Sequence, residues 1–181
     1  SYQDMLNTQG TARKGRFDKQ TEKILEEAKI RDDVSKKLNG IFSYANSWVL
    51  YYFAMIDWYI EQVFGAKLLW ALEKFSARAA QLLDEHTGFI ATVTFDRMSE
   101  EEIFEKAKTE FVEDMDKPVD DLVENVASNI GLANKAIQQG KKEADEFWNS
   151  QDTRTREIAQ SVYDDATTKF DELEASVESK Q

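Results

Sequence analysis

The sequence contains no cysteine, one proline, one histidine and 7 glycines in 181 residues. Without a thiol, disulfides, zinc fingers, thiolate clusters and cysteine nucleophiles are all excluded. The redox compartment stays open, because a protein without thiols can work inside or outside a cell. A single histidine rules out a di-iron bundle, which needs two Glu-x-x-His pairs. No glycine-rich phosphate loop, nucleophile elbow or kinase signature occurs. With Pro118 alone and so few glycines the chain has few places to turn, and Ala, Glu, Lys, Gln and Leu, all good helix formers, dominate what is left.

Cations are also in short supply: 23 Lys and Arg face 35 Asp and Glu, a net charge of −12. Such a chain repels phosphate backbones, so no nucleic-acid partner is expected. Acidic charge spread along amphipathic helices reads as a solvated face rather than as mimicry of DNA.

What is present is helical periodicity. Residues 11–38 form a charged helix with a modest stripe of Phe17, Ile24, Leu25, Ala28, Val34 and Leu38, after ten unpatterned residues that should fray. Asn39-Gly40 supplies a stop, since glycine accepts the left-handed closing conformation. Over residues 41–64 Phe42, Ala45, Val49, Phe53, Ile56, Ile60 and Val63 repeat at spacings of three and four. Tyr44, Trp48, Tyr51, Met55 and Trp58 make a second line. A helix apolar on most sides has to be surrounded, with only a narrow stripe of Ser43, Ser47, Asp57 and Glu61 left for water or a polar partner.

Past Gly65, residues 66–86 carry Leu68, Ala71, Leu72, Phe75, Ala79, Leu82 and Leu83 on one face, opposite Lys67, Lys74, Arg78, Gln81 and Glu85; Gly88 is a stop. Residues 89–95 switch to strand-like alternation; with no second strand in the chain to pair with, they read as an extended crossover or as an edge that pairs between molecules. Ser99 with Glu102 is a capping box that opens a fourth helix to about Met115. Pro118 suits the first turn of a fifth, followed by Asp120 and Asp121 at its positive end. The fifth repeats Val119, Leu122, Val123, Val126, Ile130, Ala133 and Ile137. Asn149-Ser150 breaks the pattern before Ile158, Val162, Ala166, Phe170, Leu173 and Val177 resume it at spacings near 3.5.

The expected fold is therefore all-α: one helical-bundle domain over residues 1–181, elongated, with five to six helices around a central aromatic helix and one short extended segment near 89–96. The helical pattern still runs at Ser179-Lys180-Gln181, which suggests a segment excised from a longer chain.

Chemistry is harder to find. His86, at a helix end, serves better as a favourable terminal cation than as a general base. Glu100 to Glu102, Asp120-Asp121 and Asp164-Asp165 lack the loop spacing and glycine of a calcium site and read as helix starts and solvated faces. No residue is assigned a catalytic, cofactor-binding or metal-ligating role, no cofactor is implied, and no enzyme activity is expected. Trp48, Tyr51, Tyr52, Trp58 and Trp70 could line a ligand groove. Leu38 to Ile56 is a run of nineteen uncharged residues, just long enough to span a bilayer. Asn39, Gly40, Ser43, Asn46 and Ser47 interrupt it, however, and Asp57 and Glu61 follow closely, each costing about 2.5–3.5 kcal/mol in lipid. A core helix is favoured, and a membrane is a conditional partner only.

The tail DDATTKFDELEASVESKQ, with KKEADEFWNSQ before it, resembles the long helical regions of large bacterial polymorphic-toxin-like proteins. These carry a zinc-peptidase-like domain and are associated with extracellular contractile injection systems. The resemblance covers chiefly residues 119–181. The His-Glu-x-x-His motif of the peptidase domain is absent here, so no catalytic residue carries over. It implies a non-enzymatic helical module of a larger toxin or secreted effector, serving structure, packaging or delivery, made in a bacterial cytoplasm and then exported or injected. Its partners would be other domains of a parent protein or proteins met through helix packing. The alternative is a pore-forming or membrane-inserting protein that releases residues 41–64 when Asp57 and Glu61 are neutralised.

Overall fold

The computed structural model describes residues 2–88, 92–93 and 97–180, and every long element among them is a helix. Helix α1 spans Tyr2–Trp58, passes without interruption through a π-helical turn at Tyr59–Phe64, and continues as α2, Gly65–Thr87. Helix α3 is Glu100–Asn149 and α4 is Thr153–Glu178. The chain is all-α, as its periodicity predicts.

Three long helices replace the expected five to six, because three expected breaks are bridged. Asn39-Gly40 lies inside α1, where nothing approaches the space a Cβ on Gly40 would fill. A mid-helix glycine costs only about 1 kcal/mol, and the buried Leu38 and Ala45 on either side keep the same face packed. Residues 2–10 are helical rather than frayed. Pro118 lies inside α3 rather than at a helix start; it removes one backbone donor, and side-chain links to α2 on both sides of it hold the helix in line. The expected extended segment at 89–96 lies mostly outside the described residues. Thr92 and Val93 are helical, the Thr92 amide donating to the Gly88 carbonyl at 3.3 Å. A strand without a partner has no ladder to hold it, whereas a helical turn satisfies its own backbone.

Two of the expected signals hold. The Ser99 Oγ accepts from the Glu102 amide at 3.1 Å and the Glu102 carboxylate accepts from the Ser99 amide at 3.3 Å, closing the capping box. The chain also breaks after Asn149, and Asp152 caps α4 by accepting from the Thr155 amide at 2.7 Å. That backbone N–H holds the Asp152 carboxyl below the usual carboxylate range.

The chain divides into two compact units, Ser1–Val49 with Asn134–Lys180, and Leu50–Ala133. The first is a three-helix bundle. Val34, Leu38, Ala45 and Val49 of α1, Ile137, Ala144 and Trp148 of α3, and Ala159, Ala166, Phe170 and Val177 of α4 are buried in it. The α4 set repeats at 7, 4 and 7 residues, the spacing of a helix seated between two others. Phe170 meets Phe42 edge-on at 5.3 Å and packs so closely on Gly140 that a Cβ there would lie 2.8 Å from its ring and 2.9 Å from the Ala45 Cβ. Arg154 reaches Glu26 at 3.1 Å and Lys169 reaches Asn39 at 3.1 Å, so α4 runs parallel to α1. Against α3 it runs antiparallel: Tyr163 donates to Asp145 at 2.7 Å and stacks on Trp148 at 4.5 Å, while Lys141 bridges Asp171 and Glu174. Residues 2–25 of α1 lie ahead of this packing, and every one of them is exposed.

The second unit is a helical hairpin of residues 50–87 against 100–133. Leu82, Ile103 and Ala107 form its buried centre, with Phe75, Ala79 and Met98 packed around them. Ile56, Ala71, Met115, Ile130 and Ala133 extend the seam.

One expectation is overturned. The aromatic helix is not surrounded: Tyr44, Trp48, Leu50, Tyr51, Trp58 and Ile60 are between 39% and 63% exposed. Helical neighbours cover one side of residues 41–64 rather than all sides, so its second apolar line faces outward.

Candidate docking face

The hairpin seam runs through Ile56, Tyr59, Val63, Leu68, Ala71, Phe75, Arg78 and Leu82, all buried or half-buried. Their spacings alternate between three and four except from Val63 to Leu68, which are five apart. An α-helix would swing Leu68 away from the partner helix, since each residue turns the face by about 100°. The π turn absorbs the extra residue: the Gly65 amide donates to the Ile60 carbonyl, five residues back, and the seam returns to phase. A Cβ on Gly65 would lie 3.2 Å from that carbonyl oxygen, so glycine suits the crowded end of the wide turn.

One edge of the seam is closed by charge. Lys67 faces Asp121 at 3.6 Å, Lys74 faces Asp114 at 2.8 Å, and Arg78 faces Glu110 at 3.0 Å. Asp121 also accepts from Lys117, whose ammonium holds its carboxyl below the usual range, and Lys117 is raised in return. Arg78 and Gln81 continue the network to Glu85. The ladder brackets Pro118, with Asp114 four residues before it and Asp121 three after. Trp70 lies on this side, with the Lys74 ammonium 5.2 Å from its ring.

Among the described residues the other edge has no such ladder. At about 100° per residue, Leu69, Leu72 and Leu83 fall across the α2 seam from Lys67, Lys74 and Arg78. Phe104, Val112, Val119 and Val123 fall likewise across the α3 seam from Glu110, Asp114 and Asp121. Phe75 ties this edge to the seam, edge-on to Phe104 at 5.9 Å and to Phe111 at 6.0 Å. These seven apolar side chains are 40% to 62% exposed. In the three-helix unit the equivalent position is filled by α4; among the described residues of the hairpin no third helix fills it.

The residues weighed as chemistry stand apart from one another. His86 is half-buried at the end of α2, its Nε2 3.8 Å from the Glu85 carboxylate. Glu102 belongs to the capping box, Asp121 to the ladder, and Asp164 accepts from Gln160 at 2.9 Å. Among the described residues no group of three or more His, Asp and Glu side chains gathers as a metal ion would require. The aromatic set does not enclose a groove: Trp48, Tyr51, Trp58 and Trp70 are exposed, and Tyr52 is half-buried and edge-on to Tyr51 at 5.5 Å. Three concavities of about 210, 370 and 330 Å³ all belong to the three-helix unit and are lined by other residues, Tyr163 and Phe170 in the smallest. Among the described residues no helix is long and apolar enough to cross a membrane.

A scan of protein-family models finds no match to the chain, and neither does a search of curated proteins or of solved structures.

Periodicity alone finds the apolar stripe of α2 but not its division into a covered and an open edge. A sharper signal was available: Lys67, Lys74 and Arg78 are spaced 7 then 4, and Glu110, Asp114 and Asp121 are spaced 4 then 7. Reversed spacing with opposite charge is the mark of two antiparallel helices in register.

Proposed function

We propose that this chain is a non-enzymatic helical module that works by docking a helical protein partner along the apolar flank of its hairpin unit. The observation that carries the reading is the asymmetry of that hairpin. One flank is satisfied by an ion-pair ladder, and the other presents Leu69, Leu72, Leu83, Phe104, Val112, Val119 and Val123 to solvent. Exposed apolar side chains gathered on one flank mark an interaction surface more often than a catalytic one. A helix is the occupant that fits, because a long groove between two antiparallel helices accepts an amphipathic third. The resemblance of residues 119–181 to injection-system-associated toxin-like proteins supports placing such a module in a larger bacterial toxin or secreted effector, as a structural, packaging or delivery segment. Insertion of residues 41–64 into a membrane has weaker support, since Asp57 and Glu61 are both exposed and would have to be neutralised first.

Site-specific photo-crosslinking in the native host tests the docking reading. With p-benzoylphenylalanine in place of Leu72 or Val123, protein adducts are expected. The same group at exposed Ser128 should give few. Adducts as frequent at Ser128 as on the flank, or lipid adducts alone, would overturn it.

A further inference from the structure

We infer that the helix seated on the hairpin flank is the amino-terminal part of α1 from a second copy of this chain. This rests on the docking reading and names its occupant. Residues 2–26 are helical and exposed throughout. Tyr2, Leu6, Phe17 and Ile24 are 48% to 75% exposed and are separated by 4, 11 and 7 residues, each close to a whole number of turns, so they share one line of the helix.

Charge makes this segment and the flank a matched pair. Residues 2–24 carry five cations, Arg13, Lys14, Arg16, Lys19 and Lys23, against Asp4, Asp18 and Glu22. Residues 50–133 carry 17 acidic against 7 basic side chains, so the hairpin holds most of the chain's net −12. Exposed Glu73, one turn beyond Leu69, and exposed Asp116, one turn beyond Val112, edge the apolar flank. A basic helix with an apolar line is thus offered to an apolar strip with an acidic border. The lengths agree too: at about 1.5 Å per residue, Tyr2 to Ile24 spans roughly 33 Å and Phe104 to Val123 roughly 29 Å. Because the two surfaces differ, the contact is heterologous, and copies add head to tail or exchange their first helices reciprocally.

Sedimentation of the full chain and of two double variants tests this. The first is Phe17→Asp with Ile24→Asp, and the second is Leu72→Asp with Val119→Asp. All four positions are exposed, and if circular dichroism shows lost helix in the second, Leu72→Ser with Val119→Ser replaces it. The wild-type chain should self-associate, and raising salt from about 0.1 to about 0.5 M should weaken it at least severalfold. Each double variant alone should be monomeric. An equimolar mixture of the two should regain a 1:1 complex, since each supplies the surface that the other lacks. A wild-type chain still monomeric at high micromolar concentration, a double variant that self-associates like the wild type, or a mixture that stays monomeric would overturn the inference. Flank crosslinks to a different protein, together with any of these, would leave the docking reading standing and remove only this occupant.

Discussion

The two units use the same kinds of side chain and end with opposite surfaces. In the three-helix unit Val49, Ile137, Phe170 and Val177 are at most 2% exposed, whereas in the hairpin Leu69, Leu72 and Val123 remain 47% to 62% exposed. Hydrophobicity does not distinguish the two sets; the number of helices around them does. Two helices bury one strip each, and a third is needed before the outer strips close. Apolar periodicity therefore measures how much a helix could bury, and the surroundings decide how much it does.

The largest expected break in this comparison comes from removing a side chain that α4 brings. Phe170→Ala should cost about 3–5 kcal/mol, because its ring fills the space between Phe42, Ala45 and Gly140. Leu69→Ala on the open flank should change stability by no more than about 0.5 kcal/mol. Urea unfolding of both variants checks the contrast, and equal losses would mean that the flank is covered in solution.

Pro118→Ala should sharpen the contrast from the other side. Restoring an amide within α3 should stabilise the hairpin by up to about 3 kcal/mol, read as slower hydrogen exchange across residues 100–133. An unchanged rate would show that the ladder through Asp114 and Asp121 already offsets the missing hydrogen bond.

The smallest effects compare two glycines on α3. Gly140→Ala gains helix propensity of about 1 kcal/mol but forces a methyl into Phe170 and Ala45, an overpacking of about 1–3 kcal/mol. It should be neutral to destabilising by about 2 kcal/mol. Gly131→Ala meets nothing within 4 Å and should stabilise by about 0.5–1 kcal/mol. Thermal melts of the pair should move in opposite directions or, at the least, rank in that order.

Some local signals were legible in the sequence: the capping box at Ser99, closed by its two hydrogen bonds, and the break at Asn149-Ser150, although not the Asp152 cap that follows it. Signals that rested on a residue's dislike of helix were not. Gly40, Gly65 and Pro118 each weaken a helix locally, yet each sits between turns whose buried residues face the same neighbour, and the summed packing outweighs the local cost. The all-α class follows from composition and spacing. The open flank does not, because the same apolar stripe on α2 would be read whether or not a third helix lay over it. Nor is the π turn visible in composition; only the five-residue step from Val63 to Leu68 betrays it, and only once the seam is known.

That turn has a consequence for how the chain can vary. Between Tyr59 and Phe64 the helix carries one residue more than its winding needs. Anywhere else in the hairpin, losing a residue would rotate everything downstream by about 100° and pull charged side chains into the seam. Here a deletion would tighten the loose coil into an ordinary one and leave Leu68, Phe75 and Leu82 facing inward, so this is the length of helix where the chain can shed a residue and keep its partner.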